Sequence, residues 1–255
     1  VPKKRVVLVV LALALVLATT AAASAMVIRV GDIILNADGG FSPTTLPRHK
    51  DAPITIHGSG KVSTVSGELP PIVKTLTIEY DKHGSVQTVG LPVCTAGKLQ
   101  STTVAAARAA CPGAIVGEGK GSAIVAFPES KPILITSPIT IFNGPRIHGN
   151  DTVLAHAYTT VPVPTTFIVP IVIEKIHNGV YGYRTIATIP KIAGGAGHPI
   201  SGSLKIGRKW VYKGVHHSYL NARCETGRLQ ARVQVTLSDE TSLNGTFLRT
   251  CKAKG

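Results

Sequence analysis

The chain has 255 residues, 44% of them hydrophobic and only 16% charged, with a formal net charge of +14. That length suits one large β domain or two small ones, and with aromatics at only 5% the core has to be aliphatic. The composition excludes a coiled coil, a collagen-like chain and a multi-span membrane protein, and it points to no particular reaction.

Residues 1–25 read as a secretory signal. Lys3, Lys4 and Arg5 precede an unbroken apolar run over 6–18, and Ala23-Ser24-Ala25 offers small residues for cleavage before Met26. The run is shorter than the ~20 residues of a membrane helix. The expected product is an exported β-rich domain, 26–255, with no transmembrane anchor; an uncleaved anchor is the competing reading. This domain carries 24 Lys and Arg against 13 Asp and Glu, a net +11. Outside the cell, such charge suits anionic envelope polymers or glycans and makes nucleic acid a poor partner. Charge that serves solubility alone is the plainer account. The sequence sets no oligomeric state.

Along the chain, almost every segment reads as strand and turn. Residues 73–80 are β-branched and alternating, 81–84 form a turn, and 85–90 read as the return strand. Ser101-Thr102-Thr103 can cap a short alanine-rich helix, the only one expected, over 104–110, and Pro112 stops it. The alternating glycines of 117–121 suit a strand closely approached by another backbone. Residues 128–132 read either as a lobe boundary or as the turn of a hairpin joining 114–127 to 133–142. Residues 167–173 are apolar on both faces, which predicts burial on two sides, and Pro170 requires a bulge or an unpaired backbone position. Asn178-Gly179 is a hairpin turn, and 180–190 is its returning strand. In 228–238, Leu229, Ala231, Val233, Val235 and Leu237 alternate with Arg, Gln, Thr and Ser. Residues 239–241 turn the chain, and 243–251 close it. These elements predict an all-β, sandwich-like antiparallel unit, in one or two lobes, with a short helix near 102–110.

Four cysteines in an exported chain read as two disulfides. Of three connectivities, the local one, Cys94 with Cys111 and Cys224 with Cys251, is favoured because the others close loops of more than a hundred residues. Zinc ligation is disfavoured without a C-x2-C spacing. Were 213–222, 228–238 and 243–251 a flat meander, Cys224 and Cys251 would sit ~9.6 Å apart on its outer strands, beyond the ~7 Å a disulfide bridges. If they pair, either Glu225-Thr226-Gly227 crosses between sheets or one cysteine lies in a loop beyond its strand. A crossing would place Trp210 and Tyr212 near the shared core.

No catalytic or cofactor motif is present, so no catalytic, cofactor or metal residue is assigned. His148, Asp151 and His156 are the nearest approach to a metal or acid–base cluster, but turn capping and packing account for them. His216 and His217, adjacent in a strand, point to opposite faces. Glu68, Glu79, Glu129 and Glu174 could act in pairs only if the fold brought them together. Asn150 and Asn244 begin glycosylation sequons. One stretch stands out. Between 201 and 232, Lys205, Arg208, Lys209, Lys213, Arg223, Arg228 and Arg232 face a single acid, Glu225, with Trp210, Tyr212 and Tyr219 among them. Lys213, Arg223, Arg228 and Arg232 are the candidate anion-binding residues; the solvated face of a half-buried strand is the bland alternative.

Several stretches resemble secreted, cysteine-bridged β proteins of actinobacterial type that have no assigned activity. They are Gly90-Leu91-Pro92-Val93-Cys94, Ala110-Cys111-Pro112, Val116-Gly117-Glu118-Gly119 and Ile141-Phe142-Asn143-Gly144. Tyr219-Leu220-Asn221-Ala222-Arg223-Cys224, Gly227-Arg228-Leu229-Gln230 and Leu248-Arg249-Thr250-Cys251 complete the set. The resemblance implies export and a β fold and no catalytic residues. Two functions are expected to compete: a non-catalytic exported protein that binds an anionic or glycan envelope component or acts structurally, and an envelope-directed glycoside or ester hydrolase whose site converges only in space.

Overall fold

The computed structural model describes residues 25–100 and 102–254; residues 1–24, which carry the signal reading, lie outside that range. The strands are β1 (Met26–Val30), β2 (Ile33–Ser42), β3 (Thr45–Pro47), β4 (Ala52–Thr64), β5 (Val73–Asp81), β6 (Gly84–Val86), β7 (Ile115–Val125), β8 (Ile133–Asn143) and β9 (Asp151–Thr159). They continue with β10 (Thr165–Asn178), β11 (Tyr181–Thr188), β12 (Gly197–Ile206), β13 (Lys209–Tyr212), β14 (Val215–Ser218), β15 (Leu220–Ala222), β16 (Arg228–Leu237), β17 (Ser242–Thr250) and β18 (Lys252–Lys254). Helices α1 (Ala96–Leu99) and α2 (Val104–Ala110) precede β7.

One sheet runs in the order β1-β2-β4-β12-β7-β8-β9-β10-β11-β5-β16-β17, with β15 bridging β4 and β6 beside it. Its pairings are antiparallel, and among the described residues only the small β3–β18 pair is parallel. The sheet folds back on itself. Ile33, Leu35 and Val62 from β2 and β4 meet Val233, Val235, Leu237, Leu243 and Phe247 from β16 and β17 in one core cluster. Each such large aliphatic side chain contributes about 1.5–3 kcal/mol on full burial. At the seam, β1 lies against β17 without pairing to it, and Met26 and Ile28 cover the space a side chain at Gly245 would fill. The unit is therefore all-β and sandwich-like, close to a closed barrel.

Several expectations that rest on local signals were met. Thr103 caps α2, its Oγ1 accepting from the Ala106 amide at 3.3 Å. The Asn178-Gly179 turn joins β10 to β11, and β7 pairs with β8 across 126–132. Gly119 is glycine because a Cβ there would run into the carbonyl oxygen of Ser203 on β12. Residues 96–99 add a second short helix that the sequence reading missed.

Two expectations fail, each for a long-range reason. Residues 85–90 do not return along β5: β5 lies between β11 and β16, and the shorter β6 pairs with β15 instead. Residues 167–173 are half-buried, since β11 joins β10 only from Val172 onward, and this leaves Pro170 with a neighbour on one side only. The flat meander is also absent, since Lys213-Gly214 is the turn of the separate β13–β14 hairpin and 213–222 is no single strand.

Both local disulfides form, with Cα–Cα distances of 5.8 Å for Cys94–Cys111 and 5.9 Å for Cys224–Cys251. The flat meander is avoided in the second of the ways anticipated, within one sheet that folds back on itself. Glu225-Thr226-Gly227 carries the chain from β15, on β4, to β16, on β5, and each cysteine of that pair lies just beyond a strand. Trp210 packs against the core around Tyr219, but Tyr212 does not enter it; its ring lies on Gly90. The Cys94–Cys111 bridge clamps α1 and α2 onto Phe142 and Leu154, on the outer side of β8 and β9.

Candidate functional site

The four residues singled out for anion binding do not form one patch. Arg232 belongs to a cross-strand row, Glu174–Arg184–Glu79–Arg232, in which each residue stands opposite the next on β10, β11, β5 and β16. Arg184 donates to Glu174 at 2.9 Å, Arg232 pairs with Glu79, which is only 7% exposed, and the Arg232 guanidinium lies over the Tyr181 ring. Alternating charges at directly opposed positions attract, so this row helps to hold the sheet together and the charge of Arg232 is matched by Glu79. Lys213 sits at the β13–β14 tip with its ammonium over Tyr212. Trp210 stacks on His217 and donates to the Val89 carbonyl at 3.1 Å. The aromatic residues between the charges are thus used in packing.

Arg223 and Arg228 flank Cys224, and here the fold gathers cations from three distant parts of the sequence. Cys224 donates its amide to the Pro47 carbonyl, the Arg48 amide donates to the Lys254 carbonyl, and β18 pairs with β3 through Lys252 and Lys254. Cys251 donates to the Gly227 carbonyl, beside Arg228. Arg48, Lys50, Arg228, Lys252 and Lys254 are all exposed, and none has a carboxylate partner among the described residues. The neighbouring acids, Asp51 and Glu225, are both taken by Arg223, at 3.2 and 3.3 Å. The hydrogen bond from Arg223 holds the Glu225 carboxyl below its usual range. His83 is buried between Asp81 and Glu225, one ring nitrogen facing each. Composition alone could not find this cluster, because 48–50, 228 and 252–254 are joined only by tertiary pairing.

A second feature is a groove of about 550 Å³ across the outer face of β4, β12, β7 and β8, bounded by Val104 and Arg108 of α2. Two cross-strand rows build it, Ser59–Ser203–Lys120–Pro138 and His57–Lys205–Glu118–Thr140, and Lys61–Ser201–Ser122–Thr136 is the next row but one beside the first, outside the groove. Its sequence signal was present but unread. In His-Gly-Ser-Gly-Lys (57–61), Glu-Gly-Lys-Gly-Ser (118–122) and Ser-Gly-Ser-Leu-Lys (201–205), polar residues alternate with Gly or Leu, so every polar side chain falls on one face.

The catalytic candidates do not converge. Glu79 and Glu174 are each held by an arginine of the charge row, Glu129 lies in the β7–β8 connection, and Glu68 follows β4. Asp151 accepts from Arg146 and Thr88, and His148 occupies a turn. His156 is fully buried; its Nε2 donates to the Thr102 carbonyl at 3.1 Å, and burial lowers its pKa. His216 and His217 do point to opposite faces of β14, with only His217 held, by Gln87. Among the described residues no group of three or more His, Cys, Asp or Glu is placed to hold a metal, and no helix is long and apolar enough to cross a membrane. No family model, curated protein or solved structure matches this chain.

Proposed function

We propose that this is an exported, non-catalytic β protein that binds an anionic polymer of the cell envelope through its Cys224–Cys251 end. The observation that carries the reading is the set of exposed cations, Arg48, Lys50, Arg228, Lys252 and Lys254, which have no carboxylate partner among the described residues and whose backbones gather around a disulfide. The backbones that carry these cations are already fixed before a polyanion arrives, and arginine adds two-pronged contacts to phosphate or carboxylate. Two disulfides suit an oxidising compartment, which agrees with the signal-like order of residues 1–25 and with the resemblance to secreted proteins of actinobacterial type.

Retention on immobilised polyphosphate, eluted with salt, tests this. Replacing Arg228, Lys252 and Lys254 together with Gln should move elution to markedly lower salt, because each lost contact reduces the electrostatic attraction and its salt dependence. Arg232→Gln is the control. It breaks a structural pair and should leave elution unchanged in the folded protein. Equal retention of the triple variant, or binding indifferent to salt, overturns the reading.

A further inference from the structure

The groove beneath α2 has features that a solvated sheet face does not need. Lys120 and Lys205 line it without a carboxylate partner among the described residues, yet Glu118 stands directly between Lys205 and Thr140 in the same row. Opposed side chains of this kind are ~5 Å apart. Arg108 approaches Glu118 from the helix at 3.6 Å, and both remain open to solvent. Thr140, on the groove floor, is 1% exposed, and its Oγ1 has no hydrogen-bond partner among the described residues. Next in the row is buried His156, whose Nδ1 also lacks a partner. A buried hydroxyl is normally satisfied. Thr140 is also one of the residues that line the groove.

We infer that this groove is a second binding site, separate from the cationic end, for an acidic oligosaccharide in which charged and neutral sugar units alternate. The lysines hold carboxylates of the acidic units. Glu118 accepts hydrogen bonds from sugar hydroxyls, which a fully ionised phosphate chain cannot offer, and Thr140 bonds a hydroxyl lowered onto the floor. Four strands span ~14 Å, and the volume lies within the about 300–1,000 Å³ of small-ligand clefts.

Calorimetric titration with a hyaluronan octasaccharide, whose uronates alternate with neutral sugars, and in parallel with polyphosphate, tests this. The wild type should bind both. Thr140→Val keeps shape and charge and removes only the unpartnered hydroxyl, so the fold and its thermal midpoint are retained. Octasaccharide affinity should fall about fivefold to tenfold, the value of one hydrogen bond, with polyphosphate binding unchanged. Glu118→Gln should likewise weaken the octasaccharide and not polyphosphate. If both variants bind the octasaccharide as the wild type does, or the wild type binds polyphosphate alone, the groove site is overturned and the cationic end stands. If neither polymer binds the wild type, both assignments fall.

Discussion

His156 shows how one side chain couples burial to pH. It lies under α2 with Nε2 bonded to Thr102 and its ring edge-on to Phe142, and burial pushes its pKa below the ordinary 6.5. The unfolded chain therefore binds a proton near pH 6.5 that the folded chain refuses. Stability is full above that pH and declines as pH falls from about 6.5 towards the lowered native value. Urea midpoints measured between pH 7.5 and 5 should fall, and His156→Phe should flatten that slope; an unchanged slope would assign it to another group. Nothing around position 156 in the sequence announces this, because Thr102 reaches it only through the Cys94–Cys111 excursion and Phe142 only through the pairing of β8 with β9.

Strand pairing decides which glycines tolerate a side chain. At Gly119 a Cβ would meet a carbonyl oxygen of β12, which cannot yield without shifting the strand. At Gly245 it would meet only the flexible ends of Met26 and Ile28. Gly119→Ala should cost about 1–3 kcal/mol or more, and Gly245→Ala distinctly less; chemical denaturation of the two variants checks the order. The strands themselves were legible in 73–81, 181–188, 228–237 and 242–250, where alternation and turn residues act over a few positions. Partner choice was not. β6 abandons β5 for β15, more than a hundred residues away, and such pairing depends on which edges the rest of the sheet leaves open.

At the scale of the whole molecule, the Cys224–Cys251 bridge joins the loop before β16 to the chain end and so places β18 beside β3. Replacing both cysteines with Ser should cost about 3 kcal/mol. It should also expose the Lys252 and Arg48 amides, which bond to Thr44 and Lys254, to hydrogen exchange and lower the salt needed for polyphosphate elution. Retained protection would mean that β18 docks without the bridge. The sequence by itself determined the all-β class, the α2 helix with its Thr103 cap, the hairpin at Asn178-Gly179 and the local cysteine pairs, since each depends on neighbouring residues or short loops. Tertiary structure alone decided the closure of β1 against β17, the charge row that sets Arg232 against Glu79, and the meeting of Arg48 and Lys50 with Arg228, Lys252 and Lys254. It also turned three polar stripes into one groove. Each of these joins residues far apart in the chain, and the free energy of such contacts is set by which faces pack together, information that no local window of the sequence contains.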